Sequence, residues 1–565
     1  MALAPHTASG DSVPLLARPV PARASRLLFA VAVLLLLGYT CWYFNNVEDD
    51  VFITLQYALN FCRGHGWVMN PGERVEGYTS PLHLWLLTLT VRFLSPDGAV
   101  FLSKAAGVLI GIQVLANTRR IARLVYPDLP WLAEIAMLLL AARPEFTLSM
   151  TNAMETGLAV WLLTGGVLSF LRAEAARSEG ETYTVPVTTV LWFVGAALTR
   201  PELFPMLPVL LMVRSRQISE GAFLRALAVY LLPLTLFLAF RIGYYHDILP
   251  NTYYAKHVFP PEAFGLGLIY YGQYALPSAI VVECVPIAIF GLRALHSLGR
   301  HRAVIFTVLG LNLLFILASG GTYSMDGRFV APVMPLLALI WAGPLVLLAD
   351  FVARGQLAAP ATGRQRMVAY LVFLAVVEFP LRAVIIGGTE FLQTLPQTLL
   401  HTPQAPLDRW KCASPDGRRK ISNWIAAHAR PGQTVAQTEM GIVSVLNPDI
   451  RLLDLRGLTD RTVARLPDHH HSIVGINDAG DWCDPNGQLW PYIRQRRPEW
   501  VILFDTPNAG DRAPLINDLY VPDDAFEISG DIHDTWRVRT WRRKDVAPPP
   551  QKGAGAKKTE GLIGY

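Results

Sequence analysis

The stretch LLFAVAVLLLLGYTCWYFNNVEDD, residues 27–50, joins the first long apolar run of the chain directly to three acids, Glu48, Asp49 and Asp50. A carboxylate beside membrane hydrocarbon is costly to keep unless the protein uses it. The run lacks a small-residue cleavage site and leads straight into the acids, so we interpret it as a retained helix and not as a signal peptide. The acids therefore predict a functional site at the end of a membrane helix.

The composition is that of a membrane protein. Of 565 residues, 52% are hydrophobic and 16% are charged, and the mean hydropathy is +0.33. These values exceed what a soluble enzyme of this length usually carries. Apolar stretches of helix length run from Leu27 to about Ile386, and ordinary globular sequence follows. The predicted fold class is a polytopic α-helical membrane protein of about 11–12 helices with a C-terminal soluble α/β domain.

Four segments follow from this division. They are a disordered cytoplasmic N-terminus (1–24), a transmembrane domain (25–390) with an external loop at 45–80, an α/β domain (391–545) and a disordered tail (546–565). The tail is rich in Pro, Gly and Lys, which is typical of disorder. In the α/β domain the patterning predicts a helix at 417–429 and strands within 450–455, 499–504 and 536–543.

Loop charges predict which side of the membrane each loop occupies. Arg18, Arg23 and Arg26 precede the first helix and place the N-terminus in the cytoplasm. By the same rule, basic loops are predicted to be cytoplasmic at 117–126, 172–181, 214–217, 295–302 and 353–366. Eleven crossings result, so the C-terminal domain is predicted to be outside. The apolar segment 81–94 is short for a span, and we interpret it as re-entrant or interfacial. Alternatively it crosses, and a short neighbour such as 131–142 does not.

The loops that this rule places outside share an unusual mixture of charges, amides and aromatic rings. They carry Asp49, Asp50, His65, Glu76, Arg143, Glu155, Arg200, Glu202, Arg241, Asp247, Asn251, Lys256, Asp326 and Arg328. Any one of these could simply cap a helix or pair with a neighbour. So many charges at membrane depth are expensive, however, and stability alone rarely requires them. The mixture suits group transfer from a lipid-linked phosphate: a carboxylate takes a proton, cations stabilise the departing phosphate, and rings stack on sugars.

Other classes of site are less well supported by the residues. The net charge of +5 is spread over loops without a basic patch, which argues against nucleic acid as a partner. His65 and His83 lack the spacing of metal ligands, and the run at 469–471 is expected to be solvated, so no metal is required, although a divalent cation stays open. Cys412 and Cys483 would be able to form a disulfide if their domain lies outside the cytoplasm.

Six strings, in order across most of the chain, carry a family resemblance. They are DDVFITLQYALNFCRGHGWVMNPGERVEGYTSP (49–81), NAMETG (152–157), LTRPE (198–202), LPNTYYAK (249–256), GGTYSMDGRFVAPVMPLL (320–337) and LLDLRGLTD (452–460). The chain resembles bacterial GT-C glycosyltransferases, which use polyprenyl-phosphate sugars. It is most similar to the terminal arabinofuranosyltransferases of mycobacterial cell walls and their proteobacterial relatives. Gln56 and Thr322 depart from the family pattern, which puts a phosphate contact at 56 and an acidic contact at 322 in doubt.

The resemblance implies a role for each matching residue. Asp49 would be the catalytic base and Asp50 would orient it or bind a sugar hydroxyl. Adjacent carboxylates also disfavour each other's ionisation, which suits one of them to taking a proton. The donor phosphate would be bound by Arg200, Lys256 or Arg328, with Arg241 less suited because snorkelling explains its place at a helix end. Substrate contacts are expected from Glu76, Tyr78, Glu155, Glu202, Asn251, Tyr253 and Asp326.

The implied reaction transfers a sugar, arabinofuranose or another pentose, from a polyprenyl-phosphate donor. The acceptor would be a cell-envelope glycan, lipopolysaccharide or a pilin-like protein, at the periplasmic face of a bacterial inner membrane. The loop 45–80 would be the catalytic external loop. A lipid-linked substrate transporter or flippase is the alternative, although such proteins usually show internal repeats and this sequence shows none. Asp454 and Asp460 are either a second carbohydrate-contacting patch or the residues of a loop held by Asx turns.

Overall fold

The computed structural model describes residues 19–178, 181–256, 263–275, 291–321, 327–353, 415–466, 489–505, 518–529 and 535–548. Two compact units divide the chain, Met1–Ala413 and Ser414–Tyr565. The predicted cysteine pair, the His run at 469–471, Asp326, Thr322 and the predicted helix at 368–387 lie outside the described residues.

The regular elements of the first unit are helices within its described part, joined by loops and one isolated bridge between Tyr183 and Ile218. Its helices are α1 (Ala22–Trp42), α2 (Asp50–Cys62), α3 (Pro81–Val91), α4 (Pro96–Val125), α5 (Pro130–Ala141), α6 (Pro144–Thr151), α7 (Thr156–Ala175), α8 (Val187–Thr199), α9 (Met206–Val213), α10 (Glu220–Tyr245), α11 (Asn251–Ala255), α12 (Ala263–Ala275), α13 (Arg302–Ser319) and α14 (Met334–Ala353). Proline occupies the first turn of α3, α4, α5 and α6, where its missing N–H costs nothing.

Five helical segments of the described part are long and apolar enough to cross a membrane: α1, α4, α7, α10 and α13 with the turn before it. The multi-pass membrane protein predicted from composition is therefore confirmed. The apolar segment that begins at Pro81 forms a helix of only 11 residues, which agrees with its short predicted length. Its re-entrant placement stays a prediction.

Two predicted loops are helical instead. Residues 117–126 were expected to be a cytoplasmic loop, but α4 continues to Val125. Its arginines are tolerated because Arg119 and Arg123 pair with the buried carboxylate of Glu134 in α5, at 3.0 and 2.8 Å. Residues 241–245 were expected to open an external loop, yet they complete α10. There, Arg241 pairs with Glu76, and the helix ends at His246 in the left-handed conformation.

Small residues bring α4 and α7 against the turn between α6 and α7. A Cβ at Gly107 of α4 would lie 1.9 Å from the carbonyl oxygen of Met150, and a Cβ at Gly157 would lie 3.1 Å from the Met150 Cα. Ala153 in the same turn has a φ of 67°, which is uncommon for a residue with a side chain. The turn is therefore fixed from both sides, and it carries Glu155 of the predicted site.

The second unit is a small α/β domain, as predicted. Its described elements are α15 (Pro415–His428), β1 (Thr434–Gln437), α16 (Gly441–Leu446), β2 (Arg451–Asp454), α17 (Leu489–Arg496), β3 (Trp500–Asp505), β4 (Tyr520–Ser529) and β5 (Thr535–Arg543). The sheet order is β2-β1-β3-β5-β4, with β1 parallel to β2 and β3, and β5 antiparallel to β3 and β4. The predicted helix and strands of this domain are thereby confirmed.

The loop that follows β2 is held by its own acids. Asp454 accepts hydrogen bonds from the backbone N–H groups of Arg456 and Thr459 and from the Thr459 hydroxyl. Asp460 accepts from the N–H groups of two residues beyond it and, at 2.8 Å, from the hydroxyl of Tyr492. The predicted loop held by Asx turns is therefore confirmed, and the carbohydrate-contacting patch stays a prediction.

We expect Gly107→Ala to lower the free energy of unfolding by about 1–3 kcal/mol, because the added methyl group must push α4 away from the Met150 backbone. Gly310→Ala in α13 is the matched control, since its Cβ would meet open space. Denaturant unfolding of the purified protein in detergent measures both variants. Equal stabilities would contradict the close approach of α4 to the α6–α7 turn.

We expect the α/β domain to be more stable at pH 5 than at pH 7. Burial raises the pKa of Asp454 from 3.8 to about 6, so the folded state binds the proton more tightly than the unfolded state. The free energy of unfolding therefore rises as pH falls from about 6 towards 4, by about 1.4 kcal/mol for each pKa unit of difference. Asp454→Asn should remove this slope.

Hydrogen exchange of the β1 and β2 amides in the full chain, corrected for intrinsic rates, measures that stability at each pH. A wild-type slope that survives in Asp454→Asn would show that another group is responsible.

Candidate active site

The acid triplet lies where α2 begins. Asp49 is the N-cap residue and Asp50 the first residue of the helix, and the Asp49 side chain does not accept a hydrogen bond from the first turn. The backbone N–H of Glu48 donates to the carbonyl of Asn152 at 3.4 Å, which attaches the triplet to the α6–α7 turn. The start of α2 and the turn carrying NAMETG are therefore neighbours, although about 100 residues separate them in sequence.

Asp50 contacts a predicted phosphate ligand. The Arg328 guanidinium donates to Asp50 Oδ2 at 3.2 Å; the Arg328 side chain is 7% exposed and that of Asp50 is 34% exposed. The guanidinium also lies 5.9 Å from the ring centre of Phe329. This contact joins the string at 49–81 to the string at 320–337, so two stretches that were matched separately form one site.

Arg200 occupies the same neighbourhood from the end of α8. Its guanidinium donates to Glu155 Oε1 at 3.0 Å and also to Glu202, and it lies 5.1 Å from the Phe329 ring centre. Burial lowers the pKa of Arg200, but the carboxylates of Glu202 and Glu155 outweigh burial and raise it. Arg200 is thus a fully paired cation, and the Phe329 ring lies beside both arginines.

Lys256, at the end of α11, completes the cluster. Its pKa is lowered, first by burial and then by the positive charge of Arg328, while Asp50 opposes the shift and Arg200 adds to it. The ammonium of Lys256 is thus within electrostatic reach of both arginines. Three cations that the sequence separates by 56 and 72 positions therefore interact with one another and with Asp50 and Glu155.

A second cluster holds the segment between α2 and α3. The guanidinium of Arg241 donates to both carboxylate oxygens of Glu76, at 2.6 and 3.1 Å, and the Asn251 N–H donates to the Glu76 carbonyl at 2.9 Å. Burial raises the pKa of Glu76, whereas Arg241 lowers it. Tyr78 lies beside Tyr245 with their hydroxyls 3.1 Å apart. Glu76, Tyr78 and Asn251 thus lie in a bonded network that fixes this segment.

Two further residues from the sequence analysis are Tyr253 and Gln56. Tyr253 is exposed and its ring meets Tyr254 edge-on at 5.6 Å. Gln56, the departure from the family pattern, is buried and donates to Asn60 at 3.4 Å. Within the described ranges, no group of three or more His, Cys, Asp or Glu side chains is arranged to hold a metal ion.

Sequence reasoning missed Lys104. This residue of α4 is 2% exposed, and its ammonium donates to the Asn46 carbonyl at 2.6 Å and to the Thr151 carbonyl. Asn46 lies just before the acid triplet and Thr151 ends α6, so Lys104 ties together the two backbones that flank Asp49. The available signal was a lysine inside an otherwise apolar helix, which is a functional-site indication in membrane proteins.

Fold and site together define a multi-pass membrane protein with a charged cluster built where several helices begin or end. Comparison with known proteins finds two curated proteins of similar sequence. The chain is 27% identical over 364 residues to the terminal β-(1→2)-arabinofuranosyltransferase of Mycobacterium tuberculosis, covering 58% of this chain and 57% of the relative. It is 26% identical over 341 residues to that of Corynebacterium glutamicum, covering 53% and 48%. The predicted resemblance is confirmed, and the chain spans about half the length of the curated relatives it matches.

A family model described as a domain of unknown function (DUF8728) matches residues 409–554. Among solved structures, ArnT from Cupriavidus metallidurans bound to undecaprenyl phosphate has a TM-score of 0.49 and 13% identity, covering 92% of this chain and 98% of that chain. The oligosaccharyltransferase AglB from Archaeoglobus fulgidus has a TM-score of 0.48 and 12% identity, covering 76% and 64%. These two structures are similar to this chain in fold, and no conclusion about its function follows from them.

We expect Lys104→Met to lower the free energy of unfolding by about 2–4 kcal/mol, because two carbonyls lose a charged donor inside the protein. Lys104→Arg retains the charge and tests whether the shape of the ammonium matters. Denaturant unfolding in detergent gives the stability, and hydrogen exchange at residues 44–50 reports whether the acid triplet has loosened. Unchanged exchange at residues 44–50 in Lys104→Met would contradict the inference that Lys104 holds the backbone beside the acid triplet.

Proposed function

We propose that the protein is a membrane glycosyltransferase that moves a pentose from a polyprenyl-phosphate donor to a hydroxyl of a cell-envelope acceptor. The observation that carries the proposal is the convergence of Arg200, Lys256 and Arg328 beside Asp50. Cations held together repel one another, and the charge of Arg328 adds to burial in lowering the pKa of Lys256. An arriving phosphate would relieve that repulsion, and the charge that develops on it as the sugar departs would be stabilised further.

The three cations differ in how much charge they offer to a ligand. Glu155 and Glu202 already neutralise Arg200, so we assign it mainly to orientation of the site. Arg328 is shared with the partly exposed Asp50. Lys256 has no ion pair with a described residue, and a compact ammonium binds phosphate well as a point charge. Lys256 and Arg328 are therefore the proposed phosphate ligands.

Asp49 is the proposed base. Its carboxylate takes the proton of the acceptor hydroxyl while the hydroxyl oxygen bonds to the anomeric carbon of the sugar. The bond from that carbon to the phosphate oxygen breaks, and its electron pair stays on the polyprenyl phosphate beside Lys256 and Arg328. Asp50, held by Arg328, fixes the start of α2 so that its neighbour faces the acceptor.

The substrate follows from the relatives. Both curated relatives are named for arabinofuranose transfer, so we propose arabinofuranose as the sugar. Glu155, Glu202, Asn251, Asp326 and the exposed ring of Tyr253 are proposed to contact the substrates. Glu76 and Tyr78 are proposed to act on the substrates through the segment that they hold. The loop charges support a periplasmic site in a bacterial inner membrane.

We expect Asp49→Asn to reduce sugar transfer by about 10²–10⁴-fold, because the amide cannot take the proton. Asp50→Asn should reduce it less, since Asp50 is not the proposed base and its amide weakens the pairing with Arg328. The assay uses the full chain in nanodiscs with a polyprenyl-phosphate arabinofuranose donor and a synthetic arabinan acceptor, and mass spectrometry of the product.

Asp128→Asn, in the exposed turn between α4 and α5, is the matched control and should transfer sugar at the wild-type rate. A wild-type rate in Asp49→Asn would overturn the proposed base, and wild-type rates in both variants would overturn a catalytic role for either acid. If the wild-type protein transfers no sugar but carries a labelled lipid phosphate across vesicle membranes, it is a transporter and the proposal fails.

A further inference from the structure

A groove of about 360 Å³ opens between α4, α7 and α8, well away from the acids. We call it the basic groove and define it by Asn117 and Arg120 of α4, Trp161, Ser169 and Arg172 of α7, and Trp192 of α8. We propose that the basic groove binds the phosphate head group of an anionic phospholipid, at the membrane boundary opposite the acid triplet.

Helix geometry sets the position of the groove. Arg120 lies 16 residues beyond Lys104 in α4, and Lys104 contacts the backbone beside the acids. At 1.5 Å per residue the separation along the helix is about 24 Å. In α7 the same distance separates Arg172 from Thr156, the residue next to Glu155. Since the hydrocarbon core is about 30 Å thick, both helices carry the groove to the other boundary.

The charge of the groove suits a phosphate. Arg120 and Arg172 are both exposed, and neither forms an ion pair with a described residue. Arg119 and Arg123, in the same turns of α4, are by contrast neutralised by Glu134. Of the described residues that line the groove, none is acidic. Arg120 is also oriented by a hydrogen bond to the buried Asn117 Oδ1 at 3.3 Å.

The wall of the groove suits the rest of a lipid. Trp161 and Trp192 meet edge-on with ring centres 4.8 Å apart. Gly165 lets the Trp192 ring lie against α7, because a Cβ there would be 2.8 Å from the ring. Basic sites between helices at head-group depth recognise anionic lipids. Trp161 lies 11 residues before Arg172 in α7, about 16 Å deeper along the helix. The arginines would therefore hold the phosphate, and the indoles would contact an acyl chain of the lipid.

The test is native mass spectrometry of the full chain with dioleoyl phosphatidylglycerol, dioleoyl phosphatidylcholine, undecaprenyl phosphate or inorganic phosphate, each added separately. We expect wild-type protein to retain phosphatidylglycerol preferentially, and the double variant Arg120→Gln/Arg172→Gln to lose that preference by tenfold or more. The control is Arg216→Gln/Arg225→Gln, which removes two exposed arginines from the same boundary but outside the groove. It should keep the preference.

Several results would overturn the proposal. They are equal retention of the two lipids by the wild type, equal losses in the two double variants, or a preference shown only for undecaprenyl phosphate or inorganic phosphate. The measurement is independent of sugar transfer, so the failure of the proposed function would leave its outcome unaffected.

Discussion

Ion pairs among the described residues of the helical unit constrain how its helices pack. Glu134 of α5 holds two arginines of α4, Glu174 of α7 holds Arg214 and His301, and Glu76 holds Arg241 of α10. An unpaired charge in this environment would cost several kcal/mol, so the helices can approach only in registers that complete the pairs. The ion pairs thus specify how neighbouring helices are aligned, which apolar packing alone would not do.

The candidate site also contains ion pairs, but its three cations are not paired equally. Arg200 is neutralised by two carboxylates and Arg328 pairs with Asp50, whereas Lys256 has no ion pair with a described residue. Lys256 is therefore the cation of the cluster with which an anionic ligand would pair. A cation at this depth is costly without a counter-charge, and this cost supports the proposed phosphate ligand.

Much of this architecture was predictable from sequence. Hydropathy predicted the five long apolar helices, strand-like apolar runs predicted the strands at 451–454 and 500–505, and ordered motifs assigned Asp50 and Arg328 to one site before any distance was known. Two features escaped. Arginines at 119 and 123 look like a loop until their partner in α5 is visible, since a local charge rule cannot see a tertiary ion pair. Lys104 is marked in the sequence only as a lysine within an apolar stretch, and its partners could not be predicted because they are backbone carbonyls.

The length of α4 has a consequence for the acids. With 30 residues, α4 is about 45 Å long, half as long again as the hydrocarbon thickness of a bilayer. It must therefore tilt or protrude, and the amount depends on the thickness of the surrounding lipid. Lys104, near one end, holds the backbones on either side of Asp49. A change in the tilt of α4 would therefore move the backbones beside the acids, so the thickness of the bilayer would affect the geometry of the site.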